Sequence, residues 1–123
     1  MKKRIISNTD LEIAPLNFGG NVFGWTLNEK ESFHILDRFT EAGFNFIDTA
    51  DTYSWWVNGT GGQSEEIIGR WMRERKNRNN IVLATKVGSE TKEHGFDISR
   101  KHILKSIDES LKRLGTVHID LDF

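Results

Sequence analysis

The sequence predicts an α/β protein on a parallel sheet, curved in the manner of a (β/α) barrel rather than spread as an open doubly wound sheet. Three observations carry that prediction. Four short apolar runs, too brief for helices, alternate with three longer segments of helical period. Polar residues stand where barrel strands end, Asp48 closing the second run and Lys86 the third, and barrels cluster catalytic groups on that face. The turn after the first run, GGNVFG from Gly19 to Gly24, lacks the G-x-G-x-x-G spacing that an open dinucleotide-binding sheet places there.

Each element has a local cause. RIIS and LEI flank Asn8-Thr9-Asp10 and predict a small hairpin ahead of the alternating units. The first strand run is LNF after Pro15. The first helix opens at Asn28, with Glu31 three residues on as in a capping box. Its apolar face is Phe33, Leu36, Phe39 and Ala42, with Ile35 beside them, and Gly43 ends it. FNFID at 44–48 is the second strand. Ser64 is placed to cap the second helix, whose first turn carries Glu65 and Glu66 and whose end carries Arg70, Arg73 and Arg75. That charge order complements the helix dipole. Ile67, Ile68, Trp71 and Met72 form the stripe expected to be buried. IVLATKV at 81–87 is the third strand. The third helix begins at Ser99, repeats Ile103, Ile107, Leu111 and Leu114, and stops at Gly115. HIDLDF at 118–123 is the fourth strand. No repeat or linker interrupts the pattern, so residues 1–123 read as a single domain.

Composition narrows the function classes. The 123 residues hold 17 basic and 18 acidic side chains, a net charge of -1 that gives no reason to expect a nucleic-acid or anionic-membrane partner. There is no cysteine, which excludes disulfides and thiolate metal sites. The N-terminus is basic without an apolar h-region, and no long apolar run follows, so the expected setting is the cytoplasm. Asn58-Gly59-Thr60 fits a glycosylation sequon and reads as an unmodified polar loop. Gly59-Thr60-Gly61-Gly62 lacks a following Lys-Ser/Thr and is no P-loop.

The candidate chemistry lies in FNFIDTADTY. Asp48 and Lys86 end successive strands, so their side chains can meet at a barrel mouth, and Tyr53 on the following loop can lean over them. A lysine beside a phenol favours the phenolate, and a carboxylate beside the lysine fixes its place. Such a tyrosine can act as a general acid towards a carbonyl oxygen. The residues alone equally allow a turn cap, a strand-end ion pair and a packed tyrosine. Asp48 with Asp51 offers a second pairing, the two carboxylates of a glycosidase, but residues three apart at a strand end rarely face each other. His34, His94, His102 and His118 show no metal-ligand spacing, so no metal site is expected. Trp25, Trp55 and Trp56 fall in loops at the mouth and are candidates to line an apolar substrate pocket.

The segments LNFGG, NFIDTADTYS, GGQSEEIIGRWM, IVLATKVG and SRKHILKSIDESLKRLGTVHIDL, in this order and spacing, resemble the N-terminal half of the aldo-keto reductases. The resemblance runs over essentially the whole chain. It implies a (β/α)8 TIM barrel, here represented by its bottom hairpin, four strands and three helices. It implies NADPH-dependent reduction of aldehydes and ketones. By the same resemblance Tyr53 is the proton donor, Lys86 the residue that eases loss of its proton, and Asp48 the carboxylate that holds Lys86. Gly20, Asn21 and Asp48 fall where the family approaches the nicotinamide end of the cofactor, and Trp25, Trp55 and Trp56 where it shapes the substrate pocket. The family's fourth catalytic residue is a histidine shortly after the IDL motif. Here Asp122 and Phe123 follow that motif, and His118 precedes it and cannot serve.

A (β/α)8 barrel takes roughly 250 residues. The expectation is therefore a truncated, oxidoreductase-derived chain with little turnover of its own. Two alternatives stand beside it: a non-catalytic half-barrel that self-associates through its open edges, and a barrel hydrolase using Asp48 and Asp51.

Overall fold

The computed structural model describes residues 2–53, 61–87 and 99–122. Strands β1 (Arg4–Ile5) and β2 (Glu12–Ile13) pair antiparallel as the expected hairpin. Then follow β3 (Asn17–Gly19), α1 (Glu29–Glu41), β4 (Phe46–Asp48), α2 (Gln63–Arg75), β5 (Val82–Thr85), α3 (Arg100–Leu114) and β6 (Leu121–Asp122). The sheet order is β3-β4-β5-β6, every pairing parallel. Neighbours in sequence are neighbours in the sheet, with none of the order reversal that defines a doubly wound fold. This is barrel-type progression, with β3 and β6 as the two edges.

The helix ends follow their sequence signals with one exception. Asn28 Oδ1 accepts from the Glu31 amide at 2.8 Å and Glu31 Oε1 from the Asn28 amide at 3.2 Å, a complete capping box. Ser99 caps α3 through the His102 amide, and Gly115 ends it at φ 63, a left-handed position that favours glycine. Ser64 does not cap α2. The cap position belongs to Gly62 at φ 89, and the Ser64 hydroxyl is already inside the helix, bonded to Thr49 Oγ1 at 2.7 Å.

Strand parity sorts the side chains. The register partners Phe18, Ile47 and Leu83 point at the helices and join Leu36, Ile67, Ile68, Trp71, Met72 and Leu114 in one core. Full burial of Ile47, Leu83 or Leu36 stabilises by roughly 1.5–3 kcal/mol each. The stripe expected on α2 is buried throughout. On α1, Leu36 is buried and Phe33 and Phe39 half-buried, whereas Ala42 lies exposed at the cap. The face of α3 differs from expectation: Ser106, Ser110 and Leu114 are buried, and Ile103, Ile107 and Leu111 only half-buried. At its C-terminal end α3 meets α2 backbone to backbone at Gly69, where a Cβ would lie 2.4 Å from the Arg113 carbonyl oxygen.

The hairpin sits at the N-terminal ends of the strands. Asn45, just before β4, accepts from the Ala14 amide and donates to the Glu12 carbonyl, both at 2.8 Å. A cleft of about 760 Å³ opens there, bordered by Leu11, Phe44, Asn45, Asn80 and Asp120, at the end of the sheet away from Lys86. No described helix is long and apolar enough to cross a membrane.

Candidate active site

Asp48, at the end of β4, and Lys86, just beyond β5, occupy even positions, so both project to the face of the sheet away from the helices. Lys86 Nζ donates to Asp48 Oδ1 at 2.6 Å and to the Thr49 carbonyl at 2.8 Å. The β4–β5 ladder continues past the regular strands, with the Thr49 amide on the Ala84 carbonyl at 2.8 Å and the Asp51 amide on the Lys86 carbonyl at 3.1 Å. A turn follows at once, closed by the Tyr53 amide on the Ala50 carbonyl at 3.4 Å. That turn brings the phenol ring back over the lysine, with Nζ 4.9 Å from the ring centroid. Burial pulls the Lys86 pKa down, but the Asp48 carboxylate, aided by Tyr53, outweighs it and raises the pKa above the ordinary lysine value. Lys86 is thus held as a cation between a carboxylate and a phenol.

Odd positions carry a second polar layer on the helix side. Thr49 meets Ser64, and Thr85 Oγ1 donates to Glu65 Oε2 at 2.8 Å. Glu65 is fully buried and receives Arg113 Nε at 2.8 Å and Nη2 at 2.7 Å. Sequence reading assigned Glu65 only to the helix dipole and did not single out Arg113. A signal was present, since a buried stripe from Ile67 to Met72 brings the first turn of α2 against the sheet. Asp51 shares this side. Burial first, then the charge of Glu65, pushes its carboxyl up to about 6.

The structure brings Asp48, Tyr53 and Lys86 together. Gly20 is buried at the neighbouring strand end and Asn21 is exposed in the short 3-10 turn Gly20–Val22. A Cβ on Gly20 would lie 2.7 Å from Ser64 Oγ and 3.2 Å from the Asp48 carbonyl, so packing of the strand ends alone requires glycine there. Trp25 follows that turn, 53% exposed. Trp55, Trp56, the Asn58 sequon and His94 lie outside the described residues. The glycosidase pairing gains nothing from the geometry, since Asp48 is committed to Lys86 and Asp51 sits at a helix-side position. Among the described residues no group of three or more potential ligands could hold a metal ion. Sequence reading also missed Asp120, whose Oδ2 receives the Leu83 amide at 2.8 Å and Arg78 Nη2 at 3.0 Å and anchors the approach to β6.

The family model described as Aldo/keto reductase family matches residues 15–122. An uncharacterized 11.2 kDa protein encoded in the crtE 3' region of Pseudescherichia vulneris is 52% identical over 94 residues, 75% of this chain and 91% of that one. The aryl-alcohol dehydrogenase [NADP(+)] of Phanerodontia chrysosporium is 32% identical over 140 residues, covering 97% of this chain and 34% of the relative. The aldo-keto reductase AKR11C1 of Bacillus halodurans in its holo form superposes with a TM-score of 0.84 at 36% identity, over 99% of this chain and 39% of that structure. Apart from the short relative, the chain thus spans between a third and two-fifths of these proteins. With a sequential parallel sheet and a match across nearly its whole length, the chain belongs to the aldo/keto reductase family and corresponds to the N-terminal half of its barrel.

Proposed function

We propose that the chain supplies the acid and the cofactor-end residues for NADPH-dependent reduction of an aldehyde or ketone. The observation that carries this reading is the Asp48–Lys86 pair with the Tyr53 ring beside it. Tyr53 gives its phenolic proton to the carbonyl oxygen. Lys86, kept cationic by Asp48, stabilises the negative charge that develops on the phenol oxygen as the proton leaves. Asp48 and the Thr49 carbonyl restrain the ammonium, so little reorganisation is needed during transfer.

A reduced nicotinamide, when bound, supplies the hydride. The donor set suits its uncharged end: Asp48 offers carboxylate acceptors for a ribose hydroxyl, and Asn21 presents an exposed amide near the same strand ends. NADPH rather than NADH is part of the proposal, supported by the family and by the cofactor named for the fungal relative. By the resemblance to the family, Trp25, Trp55 and Trp56 would provide the apolar wall for the carbonyl compound.

The test is NADPH oxidation with a reactive aldehyde. The 123-residue chain alone, four strands of eight, should give no useful turnover. The same segment joined to the C-terminal half of a family member should turn over. There, Tyr53→Phe should lower kcat on the order of a hundred- to ten-thousand-fold. Equal rates for the two forms of that barrel would overturn the assignment of Tyr53.

A second reading rests on β3 and β6, the edges of the sheet among the described residues, which offer main-chain donors and acceptors to another copy. Sedimentation decides it. A tight dimer supports association, and a monomer at all concentrations removes it.

A further inference from the structure

The compartment behind the strand ends holds titratable groups that carbonyl reduction does not use. Asp51 lies two residues before Tyr53 and is tied to β5 by its amide bond to the Lys86 carbonyl. Its Oδ1 is shut off from solvent and has no hydrogen-bond partner among the described residues. The charged and titratable groups that act on it are Glu65 from α2, Arg113 and His102 from α3, and Asp122 from β6. Glu65 is fully buried, and its two oxygens are taken by Thr85 and by the Arg113 guanidinium. The Arg113 guanidinium is therefore already bound to one carboxylate. The far stem of the Tyr53 loop is fitted to the same turn: a Cβ on Gly61 would lie 2.8 Å from the Thr52 Cα.

We propose that Asp51 is a positioning residue for Tyr53 and does this work in its neutral, protonated form, because its enclosed oxygen shares a compartment with a carboxylate that has already claimed the arginine. Protonated, Asp51 lets the turn sit down on the buried Glu65 layer, and Tyr53 stays over Lys86. Ionised, Asp51 is repelled by Glu65 and lacks a donor for Oδ1, so the turn lifts and carries the phenol off the ammonium. Burial and the Glu65 charge act in the sense this requires, against the opposing pull of Arg113 and His102, with Asp122 adding to Glu65. A carboxyl that holds its proton more tightly when folded loses stability as pH rises, here between the ordinary value of 3.8 and about 6. The catalytic consequence rests on reading Tyr53 as the acid, but the placement of the turn does not.

The chain contains a single tyrosine, so ring-labelled tyrosine gives one set of nuclear magnetic resonance signals from one residue. In the wild-type chain the Tyr53 ring resonances should move through an inflection near pH 6. In Asp51→Asn, which copies the neutral carboxyl, they should hold the wild-type acid-limit position across that range. Asp51→Asn should also unfold at a higher urea concentration than wild type at about pH 8. In His102→Gln the inflection should persist, and in Glu65→Gln it should move to lower pH. Persistence of the inflection in Asp51→Asn, or its loss in His102→Gln, overturns the proposal. So does an Asp51→Asn chain that is less stable than wild type at about pH 8, or that fails to fold. None of these readouts measures turnover, so their failure is separable from a failure of the Tyr53→Phe test.

Discussion

Replacing Gly69 by alanine sets two effects of opposite sign against each other. Gly69 lies inside α2, where alanine is intrinsically favoured over glycine by about 1 kcal/mol. The added Cβ, however, would meet the Arg113 carbonyl oxygen at 2.4 Å and the Leu114 carbonyl carbon and Cα at 2.8 Å. All three are backbone atoms, so no rotamer change can relieve the clash. The helices must part by roughly 1 Å to restore ordinary contact, and a gap of that size forfeits a quarter to a half of each contact it opens. The separation also loosens Leu114 in the core and strains the bond from Arg113 to the buried Glu65. Overpacking of this kind costs about 1–3 kcal/mol, and a backbone obstacle belongs at the upper end. The expected net destabilisation is about 1–2 kcal/mol. Urea unfolding followed by tryptophan fluorescence measures it, and with a slope of about 1–3 kcal/mol per molar the midpoint should fall by roughly 1 M. An alanine variant as stable as wild type, or more so, refutes the close approach of α2 and α3 at this point.

Asp120→Ala removes the acceptor of the Leu83 amide and the partner of Arg78, both sheltered, and should cost about 2–4 kcal/mol in the same urea assay. Lys86→Met in the joined barrel should impair turnover as severely as Tyr53→Phe while leaving the unfolding free energy within about 1 kcal/mol of wild type, which separates chemistry from folding. Asp37 receives Arg75 at 2.9 Å and the Trp71 indole at 2.8 Å, and the Arg75 bond leads in holding its carboxyl below the usual value of 3.8. A depressed carboxyl stabilises the fold above its unfolded pKa and loses that contribution as pH falls through its folded one. Asp37→Asn should therefore lose stability near neutrality and approach wild type in acid, as measured by unfolding midpoints at several pH values.

The three candidate catalytic residues were legible because a place at a strand end or on a short loop is a local property: Asp48 and Lys86, 38 positions apart, each end one of two adjacent parallel strands. Strand parity alone puts Asp48 and Lys86 on one face, and the short reach from Asp48 to Tyr53 leaves the phenol little room to be elsewhere. Ser64 misled for the same reason. A serine ahead of two glutamates is a capping signal, but Gly62 reached the left-handed position first and a buried threonine claimed the hydroxyl. On α3 the helical period was right and the buried face wrong, because apolarity marked Ile103 and Ile107 while the packed face carries Ser106, Ser110 and Leu114.

By itself the sequence determined the alternation of strands and helices, most of their ends, and the strand-end places of Asp48 and Lys86 with Tyr53 on the loop after the first. Those features arise from bonds and periodicities spanning a few residues, which composition and spacing display directly. Only the tertiary structure decided the partners of the buried charges. Glu65 finds Arg113 across 48 positions and Asp120 finds Arg78 across 42. A polar group removed from water must be satisfied by whatever the packing brings within reach, and that choice is made by the approach of whole elements rather than by local sequence.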